Sequence, residues 1–454
     1  QFAAESELAA AMLEHRAKSG SIVLLDPWNG EILAMASAPD FDPNEFGRYA
    51  PEERRNHAVA DCYEPGSTFK IVTGALALDE GLVSLDEIID TGDGTIRVAN
   101  TLIQEADHHR YGALTLGGVF EHSSNVGIIR VGLRLGARRL YEGARSFGVG
   151  SPTGVDLPGE NGGILRPLPR WSALSNAEIS MGQEVSLNAL QLARITAIVA
   201  NGGRLVQPHL VTKIVEPGGA VRPVAVAEPV RVLSEATAAS MRRILQGVVE
   251  RGNSGKAAVA GFAVAGKTGT AQKAGFGGYI AGRHVPNFAG FAPADAPRCV
   301  AVIVIEEPQG KYYAADVAAP LFSRVVSQAL GILRVVPREQ RVPAALLAEA
   351  APRAPQYAPG VVPAARHASD PAAADERTPS AVGLSAHQAL EVFARLGVLA
   401  RLQGTGFVVA QDPPAGSPVR PGSVHTLFLA DNAAAPSRAG GHRAEETAPP
   451  PSAP

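Results

Sequence analysis

The sequence predicts an α+β fold in which both ends of the main domain contribute strands to a mostly antiparallel sheet. Strand-like apolar runs lie near the first residues and again after residue 255, whereas helical periodicity dominates the stretch between them. Strands, then helices, then strands again are typical of the α+β class. The chain has 454 residues, which is too many for one ordinary domain and indicates two or three.

The N-terminal elements are predicted from periodicity and from one turn signal. Residues 7–18 have the spacing of an amphipathic helix. The apolar runs 21–26 and 31–37 are separated by a turn that ends in Asn29-Gly30. An Asn-Gly pair between strand-like runs is a strong hairpin signal, so we expect the sheet to begin with a hairpin.

The remaining elements of the main domain are predicted in the same way. Helical periodicity indicates five helices, at 69–78, 115–121, 125–135, 137–146 and 186–200. Short apolar runs indicate three more strands, at 262–265, 288–291 and 300–305. A closing helix is predicted at 320–333.

The composition changes after about residue 335. Ala, Pro and Arg dominate the next forty residues with little periodicity, which is typical of a linker. Ser385 is a candidate N-cap of a helix that reaches about residue 395, and strands are predicted at 398–402, 406–411 and 424–430. We therefore predict a main domain at 1–335 and a linker at 336–376. A small domain follows at 377–431, and a disordered tail at 432–454.

Composition and charge exclude several classes of function. Lys plus Arg total 41 and Asp plus Glu total 44, so the near-neutral charge gives no reason to expect a nucleic-acid partner. Two cysteines, Cys62 and Cys299, are too few for a disulfide scaffold or a Cys-based zinc site, and two free buried thiols are expected. The histidines lack metal-site spacing, so we predict no metal and no cofactor. No apolar run reaches the ~18 residues of a membrane span.

The first candidate for chemistry is Ser67-Thr68-Phe69-Lys70, at the start of a predicted helix. A serine and a lysine three positions apart lie on one helix face, one turn apart. The amine can take the hydroxyl proton if burial or a cationic neighbour lowers its pKa. The helix N-terminus also presents backbone N–H groups that suit an oxyanion. The alternative is that Ser67 only caps the helix and that Lys70 is solvated.

The second candidate is Ser123-Ser124-Asn125, which lies between two predicted helices. Serine and asparagine are ordinary caps at such a place. This segment alone therefore favours a structural interpretation.

The third candidate is Lys267-Thr268-Gly269-Thr270, directly after an apolar run. The lysine and the threonines could hold a carboxylate, and a glycine in an edge strand lets a substrate backbone approach closely. The same lysine also completes a phosphate-binding pattern, G-x-x-x-x-G-K-T, that starts at Gly261. That pattern requires a helix directly after the lysine, whereas several glycines follow here.

The three motifs together are far more specific than any one of them. S-x-x-K, S-D-N and K-T-G form the signature of penicillin-binding proteins and class A β-lactamases, and all three occur here in that order, with S-x-N in place of S-D-N. RNHAVADCYEPGSTFK resembles the nucleophile region of class B penicillin-binding proteins. VLLDPWNGEILAMAS, FGVGSPTGVDLPGE, and AGKTGTAQK followed by NFAGFAPADAPR are similar to the same transpeptidases.

The resemblance covers about residues 20 to 335. It implies a five-stranded antiparallel sheet flanked by helices, with a helical subdomain. It also implies that Ser67 attacks the carbonyl between the two terminal D-alanines of a peptidoglycan stem peptide, with Lys70 as its base. Ser123 would relay the proton to the leaving D-alanine. Asn125 would hydrogen-bond the substrate amide and orient Lys70.

The resemblance assigns the remaining site residues to the substrate carboxylate and the oxyanion. Lys267, Thr268, Gly269 and Thr270 would hold the terminal carboxylate end of the peptide, and Lys267 would tune the proton relay. The backbone N–H groups of Ser67 and Thr270 would form the oxyanion hole. The acyl group would then pass to an amine on a neighbouring stem peptide, and penicillins would trap Ser67 as a stable ester.

The C-terminal unit resembles a PASTA domain, in VGLSAHQALEVFARLGV and VVAQDPPAGSPVRPGSV. The resemblance implies a small β-α-β-β module, either binding the cell wall or serving as an appendage that binds no glycan. The segments around the first and third motifs favour a cell-division enzyme. The resemblance further implies division-protein partners and a place at the outer face of the cytoplasmic membrane, with an anchor that this sequence does not contain.

Three other functions fit the same motifs. Glu184 opens an E-x-x-L-N pattern that resembles the β-lactamase segment whose glutamate activates a deacylating water. Alternatively, Glu184 lies in the first turn of a helix and is favoured there by the helix dipole. A D,D-carboxypeptidase would differ only in using water as the acceptor, and a non-catalytic β-lactam sensor or scaffold would need no turnover.

Overall fold

The computed structural model describes two compact units, Gln1–Ala351 and Pro352–Pro454. The described residues are 1–275, 278–337, 377–384, 389–390, 392–393, 398–404, 407–419 and 424–430. The predicted linker beyond Pro337 and the predicted tail at 432–454 lie outside the described residues.

A five-stranded antiparallel sheet forms the centre of the first unit. Its spatial order is β3-β4-β5-β1-β2, and each adjacent pair is antiparallel. The five strands are β1 (Ser19–Leu25), β2 (Ile32–Ala38), β3 (Ala265–Gly275), β4 (Gly278–Ala292) and β5 (Cys299–Glu306). The predicted α+β fold, with a sheet built from both ends of the domain, is therefore confirmed.

Helices cover both faces of this sheet, which is why β1 is buried at all seven positions. Val23 and Val302 face a large core shared with the helical part of the unit. Ile22 and Ile303 face a second core against the first and last helices. Side chains alternate between the faces of a strand, so β1 supplies apolar groups to both cores.

The first unit contains ten α-helices among the described residues. They are α1 (Phe2–His15), α2 (His57–Ala60), α3 (Lys70–Asp79), α4 (Leu116–Glu121), α5 (Asn125–Leu135), α6 (Ala137–Ser146), α7 (Ser175–Met181), α8 (Ala189–Ala200), α9 (Glu235–Glu250) and α10 (Ala314–Ile332). Short 3-10 helices lie at Pro43–Arg48, Gly66–Phe69, Ala106–His108, Leu168–Arg170 and Gly255–Ala257.

Five small antiparallel strand pairs surround the helical part. They are Ile88–Asp90 with Ala113–Thr115, Thr95–Val98 with Thr101–Gln104, Ile164–Leu165 with Val185–Ser186, Arg204–Leu205 with Val230–Arg231, and Lys213–Val215 with Val221–Pro223. None of these pairs was predicted, because two to four residues are too few for a periodic pattern.

Three predicted elements need correction. The strand at 262–265 is wrong, since β3 begins at Ala265 and includes the K-T-G-T motif itself, whose lysine and threonines concealed the strand pattern. The closing helix begins at Ala314 rather than at residue 320, because Pro320 lies inside α10 rather than at its start. The N-terminal helix runs over Phe2–His15 rather than 7–18, and Arg16 ends it with a left-handed φ of 44°.

Helix α9 was missed although its start carries a local signal. The Ser234 side chain accepts a hydrogen bond from the Thr237 backbone N–H at 3.1 Å, as a serine N-cap does. Ala238, Met241 and Leu245 then repeat at helical spacing and are buried.

Helix α8 is the buried central helix, and all twelve of its residues are buried. Asn188 caps it by accepting a hydrogen bond from Gln191 N–H at 2.7 Å, while the Gln191 side chain accepts one from Asn188 N–H at 2.9 Å. The Asn188 amide also donates to the carbonyls of Val59 and Asn161. The cap therefore joins α8 to two other segments.

The second unit contains a three-stranded sheet among its described residues. Its strands are β6 (Leu399–Gly404), β7 (Phe407–Asp412) and β8 (Val424–Ala430), in the order β6-β8-β7. β6 runs parallel to β8, and β7 runs antiparallel to it. Phe393 and Leu427 belong to its small core. The predicted N-cap Ser385 lies outside the described residues.

Across the residues that the structure describes, no helix combines the length and the apolar character that crossing a membrane requires.

We expect Asn188→Ala to lower the free energy of unfolding of the first unit by about 2–4 kcal/mol, because it removes a buried cap and the amide donor that Val59 and Asn161 share. Ser234→Ala is the matched control, since it removes the cap of α9 and a hydrogen bond to the Thr237 hydroxyl within the same turn, and it should cost about 1 kcal/mol. Urea unfolding followed by circular dichroism measures both. Equal losses would contradict the linking role of Asn188.

Candidate active site

The predicted nucleophile lies on a tight turn before α3. Gly66–Phe69 forms a 3-10 helix that continues directly into α3 at Lys70. The side chain of Ser67 is partly exposed, whereas that of Lys70 is fully buried. The turn thus leaves Ser67 accessible while the Lys70 side chain is enclosed by protein.

The Lys70 amine is held by the second motif. Its Nζ donates to the carbonyl oxygens of Ser123 at 2.6 Å and Ser124 at 3.2 Å, and to Asn125 Oδ1 at 2.9 Å. Ser123 Oγ is 3.4 Å away. The first two motifs therefore form one hydrogen-bonded cluster although 53 residues separate Lys70 from Ser123.

The third motif completes this cluster. Lys267 extends from β3, is fully buried, and donates from Nζ to Ser123 Oγ at 2.9 Å and to the Thr268 carbonyl at 3.2 Å. Ser123 Oγ is thus within 3.4 Å of two amines. The structure brings Lys70, Ser123, Asn125 and Lys267 together.

Burial controls the charge of both amines. It lowers the pKa of Lys70 to about 7, and the negative charge of Glu105 acts in the opposite direction. Burial first, and then the positive charge of Lys70, lowers the pKa of Lys267 well below its ordinary value. Two like charges so close together are unfavourable, so the pair carries fewer than two protons near neutral pH.

Two glycines, Gly182 and Gly269, lie in close contact with the nucleophile turn. A Cβ on Gly182 would lie 2.0 Å from the Gly66 carbonyl oxygen, and a Cβ on Gly269 would lie 2.4 Å from that of Pro65. The Gly66 N–H also donates to the Gly182 carbonyl at 3.1 Å. Gly269 was predicted to admit a substrate backbone, whereas the structure shows its Cβ position occupied by the turn that carries Ser67.

The hydroxyls of the two predicted carboxylate-binding threonines contact protein groups. Thr270 Oγ1 accepts from the Ala314 backbone N–H at 3.0 Å, at the start of α10. Thr268 Oγ1 donates to Asn253 Oδ1 at 3.3 Å. The backbone of β3 at Ala271 lies beside Gly66, which places Thr270 next to the nucleophile turn.

The carboxylate of Glu64 binds groups on both sides of the segment before the nucleophile. Glu64 accepts hydrogen bonds from the Glu184 backbone N–H at 2.9 Å and from the Tyr279 hydroxyl at 2.8 Å. Burial raises the pKa of Glu64. Tyr279 belongs to β4, so this contact joins β4 to the chain just before Ser67.

Two alternatives from the sequence are affected by the structure. Glu184 is not in the first turn of α8, which begins at Ala189, and its carboxylate pairs with Arg166. Lys267 lies within a strand and not before a helix, so the phosphate-loop alternative is wrong.

One member of this cluster, the carboxylate of Glu105, was not predicted from the sequence. It is 4% exposed and accepts hydrogen bonds from Ser124 Oγ, from the Asn125 N–H at 2.5 Å and from the Val126 N–H at 3.3 Å. It follows the small strand Thr101–Gln104, and nothing in its own surroundings signals this contact.

Neither cysteine belongs to this cluster. Both thiols are free, Cys299 is buried, and Cys62 is only partly buried, contrary to the expectation of two buried thiols. Burial raises the pKa of Cys62 to about 11. The described part of the chain contains no group of three or more His, Cys, Asp or Glu side chains suited to a metal.

Comparison with family models and relatives gives a consistent result. The penicillin binding protein transpeptidase domain matches residues 20–327, and the PASTA domain matches residues 377–431. The chain is 38% identical to a probable peptidoglycan D,D-transpeptidase, PenA, of Neisseria flavescens, over 74% of this chain and 81% of the relative. It is 35% identical to the peptidoglycan D,D-transpeptidase FtsI of Escherichia coli, over 73% of this chain and 54% of FtsI. The chain thus spans about half the length of FtsI.

Solved structures show the same fold. Penicillin-binding protein 3 of Mycobacterium tuberculosis complexed with aztreonam has a TM-score of 0.70 and 35% identity, over 74% of this chain and 78% of that one. The transpeptidase domain of Burkholderia pseudomallei penicillin-binding protein 3 has a TM-score of 0.66 and 31% identity, over 74% of this chain and 95% of that domain.

We expect Gly269→Ala to destabilise the first unit by about 1–3 kcal/mol, because the new methyl group would overlap the Pro65 carbonyl and force the strand and the turn apart. Gly331→Ala is the control, since a Cβ there meets nothing within 4 Å in α10 and alanine favours a helix. Thermal unfolding of both variants measures this difference. A wild-type midpoint for Gly269→Ala would contradict the close contact.

Proposed function

This chain belongs to the penicillin-binding protein transpeptidase family, and from this premise we propose that it is a peptidoglycan D,D-transpeptidase that acts through an acyl-enzyme on Ser67. The observation that carries the proposal is the position of Ser123 Oγ, within 3.4 Å of the Lys70 amine and 2.9 Å from the Lys267 amine. Two buried amines around one hydroxyl provide a path for a proton next to a serine on a tight turn.

Acylation would proceed by proton transfer along this cluster. Neutral Lys70 takes the Ser67 proton as Ser67 Oγ forms a bond to the carbonyl carbon of the penultimate D-alanine. The backbone N–H groups of Ser67 and Thr270 stabilise the resulting oxyanion. The carbon–nitrogen bond to the terminal D-alanine then breaks, Ser123 delivers its proton to the leaving amine, and Lys70 passes the proton taken from Ser67 to Ser123.

The third motif would select a substrate with a free carboxylate. Lys267 and the Thr270 hydroxyl would offer donors to the terminal carboxylate of the peptide, and Thr268 would join them only on release from Asn253, to which its hydroxyl donates. Asn125 would hold the substrate amide, while its Oδ1 accepts from Lys70. In the second half-reaction, an amine of another stem peptide attacks the ester, the Ser67 oxygen regains its proton, and a new amide cross-link forms.

A cavity of about 640 Å³ lies beside the chain segment that precedes the nucleophile. The part of β3 after the K-T-G-T motif lines it at Ala271–Ala274, together with Glu64 and Lys18. Its volume is in the range of ordinary ligand pockets. None of the three motifs lines this cavity, so it would hold only a part of the stem peptide that lies away from the reacting carbonyl.

The family's other activities remain as alternatives. In a β-lactamase, Glu184 would have to activate the deacylating water, but its carboxylate pairs with Arg166 and its N–H binds Glu64. A D,D-carboxypeptidase would use the same cluster with water as the acceptor, and a sensor would stop at the acylated state. The contacts of Glu184 favour slow hydrolysis of the ester.

We further propose the division of the whole chain that the sequence predicts, with a transpeptidase domain over 1–335 and a PASTA domain over 377–431. PASTA similarity at 377–431 supports a module that contacts the cell wall. A peptidoglycan substrate requires that the enzyme act outside the cytoplasmic membrane. A role in division, with division proteins as partners, is supported by the similarity to FtsI.

We expect benzylpenicillin to form one long-lived adduct on the Ser67 peptide, because its strained amide would acylate the proposed nucleophile. Intact-mass spectrometry over time, followed by peptide mapping, measures this. Ser67→Ala should show no adduct and an unchanged fold, whereas Ser146→Ala, at an exposed serine on α6, should be acylated at the wild-type rate.

The other outcomes separate the alternatives. Full acylation of Ser67→Ala would contradict the assignment of the nucleophile. An adduct that disappears within one turnover time, while hydrolysed penicillin accumulates, would indicate a β-lactamase.

We expect the acylation rate of the wild-type protein to rise with pH up to about 7, because Lys70, with its pKa near 7, accepts a proton only when neutral. Stopped-flow acylation between pH 5 and 10 measures this profile. Lys70→Arg should be inactive throughout, since a guanidinium stays protonated. Lys256→Arg preserves an exposed ion pair with Asp316 and should retain the wild-type profile. A flat wild-type profile would contradict Lys70 as the base.

A further inference from the structure

Glu105 lies within this cluster, although none of the three sequence motifs includes it. Its carboxylate is almost fully buried and contacts the segment that carries Ser123 and Asn125 through three hydrogen bonds. We propose that Glu105 is a positioning residue and the counter-ion of the lysine pair, an inference that rests on the function proposed above. It fixes the segment 123–125 and balances one positive charge shared by Lys70 and Lys267.

Glu105 holds one side of a strained residue. Ser123 has a left-handed φ of 57°, a conformation that a non-glycine residue keeps only where its surroundings impose it. Lys70 donates to the carbonyls of Ser123 and Ser124. Glu105 accepts from the N–H groups of Asn125 and Val126. The strained residue is therefore held through its carbonyls on one side and through the following N–H groups on the other.

Glu105 also lies at the start of α5. The first N–H groups of a helix have no partner within the helix and carry a partial positive charge. Ser124 caps α5 by accepting from Gly127 N–H at 2.8 Å, and its hydroxyl donates to Glu105. The carboxylate thus receives three donors at a positive helix end.

The charges of the cluster limit how many protons the two lysines hold. Two buried lysines beside one carboxylate charge give a neutral cluster only when the pair holds a single proton. An uncompensated charge in a buried site is costly, so this composition favours one protonated amine and one neutral amine. The proposed mechanism needs a neutral amine, because Lys70 has to be neutral when it takes the Ser67 proton.

Few other titratable groups act on this cluster. The charge of Glu105 raises the pKa of Lys70 against the effect of burial. Burial, Glu105 and Asp107 raise the pKa of Tyr111. Tyr111 is neutral over the range in which the lysines titrate, and Asp107 is bound to the exposed Tyr313 hydroxyl. Among the described residues, Glu105 is therefore the carboxylate whose removal changes the charge of the lysine pair.

The test is the pH profile of benzylpenicillin acylation in Glu105→Gln, compared with the wild-type chain. Glutamine keeps the shape but removes the charge that raises the pKa of Lys70, so this pKa falls. The rise of the acylation rate should move about one unit to lower pH, and the maximum rate should fall about tenfold or more. A purely structural role would lower the maximum and leave the rise at its wild-type pH, which would overturn the counter-ion assignment.

Ser124→Ala is the matched control, because it removes one hydrogen bond of Glu105 and the cap of α5 but no charge. It should lower the maximum rate and leave the rise of the rate at its wild-type pH. A shift of the rise equal to that of Glu105→Gln would contradict the electrostatic interpretation, since the shift would then follow from lost geometry.

Glu105→Asp provides the test if Glu105→Gln does not fold. The shorter side chain keeps the charge but reaches fewer of the three donors, so the maximum rate should fall while the rise stays at its wild-type pH. A wild-type maximum would overturn the positioning role, and a shifted rise would overturn the counter-ion role. Absence of acylation in the wild-type protein would instead contradict the proposed function itself.

Discussion

The burial of two amines around one serine hydroxyl is the constraint on which the rest of the first unit depends. Removing an ammonium group from water costs several kcal/mol unless its donors find partners. Lys70 comes from α3, Ser123 from the turn before α5, and Lys267 from β3, and 144 residues separate the last two. The fold has to bring a helix, a turn and a strand together within hydrogen-bond distance, and the cores on both faces of the sheet provide the rigidity for this.

The parts of the fold that periodicity determines were predictable from the sequence. Helix α6 was predicted at its observed bounds, and the Asn29-Gly30 hairpin was predicted correctly, because local patterns decide both. Strand β3 was not, because its inner positions include Lys267 and Gly269, whose types are set by contacts with Ser123 and Pro65 rather than by the pleat. A strand that carries site residues shows a weaker alternation of apolar and polar positions, because contacts within the site determine some of its residue types.

The same distinction applies to the site. Three short motifs predicted which residues lie together, because their order and spacing are specific. Glu105 and the Glu64–Tyr279 contact could not be predicted, since each depends on a pairing across the fold that has no local spacing. Gly269 was predicted as part of the site, but the physical reason that the structure shows is its close approach to the nucleophile turn.

The order of strands in the sheet has a consequence for how the chain acquires its structure. Ser19 in β1 pairs with Glu306 in β5, 287 residues later. Strand β1 therefore lacks one of its two neighbours until almost the entire first unit has been synthesised. Pairing at such long range is entropically slow, and the nascent chain exposes an apolar strand throughout this interval. The active site consequently forms late, because the ribosome must complete β5 before β3 and β4 can join the N-terminal hairpin.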